Sequence, residues 1–184
     1  MKEYETAETK MQEKLNIVKF PLNATKYYEL DKSCDWVRAL LLELNEKADE
    51  KKPEEYLANT DIKIQMEIKK LFKSQYGEFL IINLQFSSHY VTQCVRTLEE
   101  MEDSLHFEVN SCFLDREYEK LEEFEDQMEI YEDNQLNELY FYEKGFVDVK
   151  EMIHEQIFLN INQYPVKNSD SELNWAKETS ELKQ

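Results

Sequence analysis

Between Ile62 and Ile68 the chain alternates: Ile62, Ile64, Met66 and Ile68 are apolar, while Lys63, Gln65, Glu67 and Lys69 are polar. A period of two belongs to a half-buried strand, because successive side chains point to opposite faces of a sheet. SQYGE, residues 74–78, supplies a turn in which Gly77 is free to take positive φ. The return run, FLIINLQFSSHYVTQCV over 79–95, would span ~56 Å at ~3.3 Å per residue, too long for one flat strand in a small domain. Its apolar positions are even at Leu80, Ile82, Leu84 and Phe86, then odd at Val91 and Val95. That change of parity predicts a bulge or bend near Ser87 and Ser88. EEMEDS turns the chain again, and LHFEVNSCF, residues 105–113, points Leu105, Phe107, Val109 and Ser111 inward. Residues 62–113 therefore read as a three-stranded antiparallel meander.

Helical spacing flanks this meander. With Asp31 as cap, Trp36, Val37, Leu40, Leu41 and Leu44 fall on one face of a helix over 31–48. A second helix over 148–162 starts at Asp148 and Glu151, a capping-box pair, after Gly145 eases the turn. Its inner stripe is Val149, Met152, Ile153 and Ile157. LNIVKFPL, residues 15–22, reads as an opening or edge strand that stops near Pro21. Residues 115–138 carry eleven acids against Arg116 and Lys120. Leu121, Phe124, Met128 and Tyr131 allow a short helix there, and a solvated acidic excursion fits equally. Leu173, Trp175, Ala176 and Leu182 mark a weak amphipathic helix in the tail, with Trp175 as an anchor.

The chain has 184 residues, which suits one domain, and its 41% hydrophobic content can fill a core. Two glycines argue against a Gly-rich phosphate loop. No stretch approaches the ~20 apolar residues that cross a bilayer, and three scattered cysteines fit a reduced, cytoplasmic protein. The formal charge of −18 disfavours broad phosphate binding and suits a protein that attracts basic partners, or one that is simply soluble.

Cys94 and Arg96 are the residues that look reactive. Two apart on a regular strand they would share a face, and Arg96 could lower the thiol pKa. A catalytic base is missing from this pattern, so the reading taken is a small buried thiol with Arg96 paired to an acid at the strand end. No C-x-x-C or H-x-x-x-H pair supplies converging zinc ligands, and no metal or cofactor is expected. A turn centred on Asp103 would set Cys94 opposite Cys112, which permits a disulfide, although a reducing compartment favours two packed thiols. Lys63, Lys69, Lys70 and Lys73 form the one basic stretch, near Phe72, Tyr76 and His89. It reads either as a small RNA-contacting strip or as charge that protects an exposed strand from edge pairing.

Two segments resemble the YceD family, the large ribosomal RNA subunit accumulation proteins. Its first motif is C-x-R-C-L at a strand end, matched by Cys94, Arg96 and Leu98, with Thr97 in place of the second cysteine. Its second motif is matched by Gly145, Val147, Asp148, Val149, Glu155, Ile157 and Leu159. Pro165 matches a later proline, Asn162 stands where an earlier proline is common, and Lys167 where a histidine is common. The Leu-x-Trp-Ala tail is similar as well, so the resemblance spans about residues 15–182. It implies a non-enzymatic factor for accumulation of 23S rRNA and assembly of the large ribosomal subunit, without a membrane or small-molecule substrate. Some relatives carry extra cysteines that invite a metal site; Thr97 and the cysteine-free tail speak against one here.

The expected architecture is α+β: a bent antiparallel sheet or partial barrel of about four to six strands, packed with helices 31–48 and 148–162 and a weak C-terminal helix. Residues 1–14 are expected as a flexible arm, 15–167 as the domain, and 168–184 as a tail. The expected partner is large-subunit rRNA or a basic ribosomal protein, docked at the rim near Lys69, Lys70 and Arg96. The rival reading is an acidic protein–protein adaptor unrelated to ribosomes.

Overall fold

The alternating run becomes a hairpin of two long strands. In the computed structural model, which describes residues 7–48, 51–120, 124 and 127–167, the chain runs β1 (Lys14–Asn16), β2 (Thr25–Asp31), α1 (Asp35–Asn45), β3 (Asp61–Lys73), β4 (Gly77–Gln93), β5 (Glu100–Asp115), β6 (Glu129–Glu132), β7 (Gln135–Tyr142), β8 (Phe146–Asp148) and α2 (Val149–Asn160). Six strands form one open sheet in the order β2-β3-β4-β5-β7-β6, and β1 pairs with β8 in a separate ribbon. The α+β architecture, its strand number and its two helices are those the sequence implies. The weak C-terminal helix over 168–184 lies outside the described residues.

The meander is present, but the predicted bulge is not. The β3–β4 register runs unbroken from Asp61↔His89 to Lys73↔Gly77, and the β4–β5 register from Leu80↔Phe113 to Gln93↔Glu100. Even positions of β4 stay buried through Ser88, Tyr90 and Thr92. The parity never changes; the second face of the strand is simply buried too. Phe79 and Ile81 on that face join Cys112 and Leu114 of β5 in a second core, with Tyr76 and Phe124. Farther along, Val91 is covered by Ala48 and Tyr56. β4 outlasts β3 there, and the Val91 N–H donates to Asn45 Oδ1 at 3.0 Å in place of a strand partner.

The main core lies on the other face. Val37, Leu40, Leu41 and Leu44 of α1 and Val149, Met152, Ile153 and Ile157 of α2 meet Ile62, Ile64, Ile68, Leu80, Ile82 and Leu84. Phe86 and Phe107, direct cross-strand partners, stack with ring centroids 4.6 Å apart. α2 begins as expected, the Asp148 carboxylate accepting from the Glu151 N–H at 3.0 Å.

Several local expectations change. Asp31 ends β2 and does not cap a helix; its Oδ1 accepts from Ser33 N at 2.7 Å and turns the chain toward α1. Strand 15–22 is strand only at its start, because Asn16 accepts from Val18 N and tips Ile17–Lys19 into a 3-10 turn. The second half of the arm is held: Glu8 N donates to Tyr27 O at 2.9 Å, Glu29 N donates to Glu8 O at 3.0 Å, and Trp36 Nε1 donates to Met11 O at 2.8 Å. Outer backbone groups of the edge strand β2 need partners, and this segment supplies them.

The acidic excursion is the largest departure. Residues 129–142 form the hairpin β6–β7, turning at Asp133 and Asn134 with φ of 50° and 63°, a two-residue turn that asparagine and aspartate tolerate. β7 pairs with β5 in parallel, the one pairing between named strands that departs from the antiparallel expectation. The sheet curls until the hairpin faces β3. Lys69 binds Asp133 at 2.8 Å, Lys73 binds Glu132 at 2.5 Å, and Gln135 donates to Asn83 at 2.7 Å. Tyr76 also donates to Glu132, whose side chain is only 8% exposed.

Two stability effects follow. Phe79→Ala should cost about 3–5 kcal/mol in chemical denaturation, because it empties the second core. Lys73→Met should cost about 1–3 kcal/mol by leaving the buried Glu132 carboxylate with the Tyr76 hydroxyl but without its counter-ion, whereas Lys63→Met, whose partner Glu29 is half-exposed, should change stability by less than about 1 kcal/mol.

Candidate docking site at the 94–100 loop

β4 and β5 are joined by residues 94–99, and the turn centres on Arg96 and Thr97, well before Asp103. Cys94 and Arg96 therefore sit in a hairpin loop, not on a strand end with a shared face. Cys94 N donates to Glu99 O and Leu98 N donates to Cys94 O, both at 2.9 Å. Leu98 takes φ of 59° to close the loop, and Gln93 Nε2 braces it by donating to Leu98 O at 3.0 Å. Positive φ is costly for leucine, so these hydrogen bonds hold a strained position.

The chain returns to this loop after α2. Val95 N donates to Pro165 O at 3.0 Å, and Lys167 N donates to Cys94 Sγ at 3.4 Å. Lys167 Nζ adds an ion pair to Glu99 at 3.2 Å. Residues 165–167 thus form a strap across the loop, with Pro165 buried beneath. Cys94 is shut from solvent. Its thiol is nevertheless pulled down to about 6, first by the Thr97 side-chain hydrogen bond and then by the N–H groups of Lys167, Thr97 and Arg96. These donors outweigh the desolvation that pushes the other way.

The remaining thiols behave differently. Cys112 lies opposite Ile81, not Cys94, and burial raises its thiol to about 12. All three cysteines are free, so the disulfide that a turn at Asp103 would have allowed does not form. No group of three His, Cys, Asp or Glu side chains converges as a metal site among the described residues.

The lysine strip is scattered and neutralised. Lys63 pairs with Glu29 at 2.5 Å, and Lys69 and Lys73 hold the acidic hairpin. Lys70 points into the core side, 5% exposed, and binds Glu78 at 2.7 Å. Tyr76, one of the aromatics beside the strip, is buried in the second core. None of these lysines lies in the 94–100 loop. Arg96 does; it is exposed and has no carboxylate partner among the described residues.

Of the motif residues, Cys94, Arg96, Leu98 and Pro165 come together. Gly145, Asp148 and Glu155 do not. Gly145, at φ of 76°, accepts from Ile17 N at 2.9 Å. Asp148 caps α2 and pairs with Lys14 at 3.0 Å, and Glu155 is exposed on α2. These positions build the frame that returns the chain to the loop. Sequence reasoning missed Tyr56, which borders the loop; it stands in no motif, so only the tertiary fold reveals it.

The depressed thiol gives a pH signature. An ordinary thiol titrates near 9.0 and the folded one at about 6. The thiolate's contribution to stability is therefore complete above about 9, shrinks as pH falls between them, and is gone below about 6. The stability gap between the parent and Cys94→Ala should widen from pH 6 to pH 9 in urea titrations, and a constant gap would remove the thiolate. Iodoacetamide should label Cys94 more slowly in the folded chain than in urea, because the strap covers the sulfur.

A family model described as "Large ribosomal RNA subunit accumulation protein YceD" matches residues 82–183. The match starts inside β4 and takes in the loop, β5 to β8, α2 and the strap. No curated protein and no solved structure matches.

Proposed function

The chain belongs to the YceD family, and from that membership we propose that it supports accumulation of 23S rRNA and assembly of the large ribosomal subunit in the cytoplasm. It works by docking, without chemistry of its own. Its docking face is the 94–100 loop with the 165–167 strap, and its partner is a basic protein of the large subunit. The observation that carries the choice of partner is the neutralised lysine strip: Lys63, Lys69, Lys70 and Lys73 each face a carboxylate of the same chain. An RNA backbone needs unpaired cations in a row, and the strip offers none. A chain of formal charge −18 attracts basic protein segments instead, in a salt-sensitive way. Val95 and Leu98, 48% and 65% exposed at the loop tip, give that contact an apolar centre.

Several features support a passive role for Cys94. Its thiolate is occupied by N–H donors, covered by the strap, and has no histidine among its hydrogen-bond partners. Such a thiolate holds a loop to a strap better than it attacks a substrate.

Deleting the gene should lower the ratio of 23S to 16S rRNA and deplete large subunits in sedimentation profiles; an unchanged ratio with normal profiles would sink the proposal. Complementation by Leu98→Asp should fail while the protein keeps its melting temperature, since aspartate tolerates the left-handed conformation. Lys63→Met should complement fully.

A further inference from the structure

Beside the loop lies a cleft of about 620 Å³ between the hairpin base, the 3-10 turn Pro53–Tyr56 and the strap. Tyr56, Val91 and Val166 give it apolar walls, and the carboxylates Glu100 and Glu102 share its lining with Lys51 and Lys167. Glu100 Oε1 is buried and has no hydrogen-bond partner; among the described residues it is the one side-chain atom in that condition. Buried carboxylate oxygens are normally paired, because losing water without gaining a donor is costly. Nearby cations do not satisfy it. Lys167 is engaged with Glu99 at 3.2 Å, and Lys51 lies over the Tyr56 ring, 5.7 Å from its centroid. His89 reaches Glu102 at 3.5 Å, not Glu100.

We propose that this cleft receives an arginine side chain from a basic segment of the partner protein, with Glu100 as the residue that recognises the guanidinium. The aliphatic stem lies against Val91 and Val166, and the planar head brings N–H donors to the orphaned oxygen while Glu102 waits at the mouth. The assignment rests on the reading that the partner is a basic protein. It adds the side chain read and the residue that reads it.

The test titrates the ¹⁵N-labelled full chain with the peptide acetyl-Gly-Gly-Arg-Gly-Gly-amide at fixed ionic strength, beside the same peptide carrying citrulline, which keeps the shape and lacks the charge. The arginine peptide should shift the amides of Val91, Glu100, Glu102 and Val166 saturably. Binding should be at least tenfold weaker for citrulline and for Glu100→Gln, and unchanged for Glu108→Gln, which removes the same charge from an exposed position farther along the same strand. Shifts that scatter over the surface, a Glu108→Gln loss equal to that of Glu100→Gln, or no saturable shift at the cleft would each overturn the assignment. Thermal melts guard the variant: Glu100→Gln should melt no lower than the parent, and a lower value would mean the carboxylate already has an internal partner. The strain phenotype is a separate readout. A localised arginine site with an unchanged 23S to 16S ratio keeps the cleft and sinks the ribosomal role, whereas a lowered ratio without localised binding does the reverse.

Discussion

Burial of β4 on both faces is the constraint on which the rest of the structure depends. Leu80, Ile82, Leu84 and Phe86 face α1 and α2, while Phe79 and Ile81 face a second core. A strand that is apolar on both sides cannot lie at a wet surface, so something must cover each side. The helices cover one. On the other, the chain folds its acidic segment back as β6–β7, and the sheet curls to bring that hairpin over β3 and β4. At the far end Tyr56 and Ala48 cover Val91. The stretch of sheet between the two covers keeps polar residues such as Gln65, Gln85 and Ser87.

This arrangement gives the charges a structural use. A hairpin rich in carboxylates folds against a strand rich in lysines, and Lys69 and Lys73 are drawn off as its counter-ions. Exposed pairs of this kind contribute little each, but Glu132 is buried and takes both Lys73 and Tyr76. What remains outside is strongly acidic. The same fold that forms the second core thus pairs the lysines of β3 with carboxylates of the same chain.

The loop and strap show how a motif split in sequence becomes one object. Pro165 reaches Val95, and Lys167 reaches Cys94, only because Asp148 starts α2 and α2 carries the chain back along the main core. Cys94 then serves as an acceptor at the joint, its sulfur facing backbone donors from both pieces. The cleft with Glu100 opens where these pieces meet the 3-10 turn after α1.

The sequence by itself determined the meander, the inner stripes of both helices and the family motifs, because a period of two or of 3.6 is set by local backbone geometry. It also placed Leu105, Phe107, Val109 and Ser111 inward correctly. Where a second face was buried, periodicity misled: Val91 looked like a change of parity, and only its contact with Ala48 and Tyr56 explains it. The short strand β2 offered two buried positions, Tyr28 and Leu30, too few to show a period. The turn at Arg96, the fate of the lysines and the orphaned Glu100 oxygen were decided by the tertiary structure alone. Register, ion pairing and solvent exclusion depend on residues far apart in the chain, and no local pattern encodes which of many carboxylates a given lysine will meet.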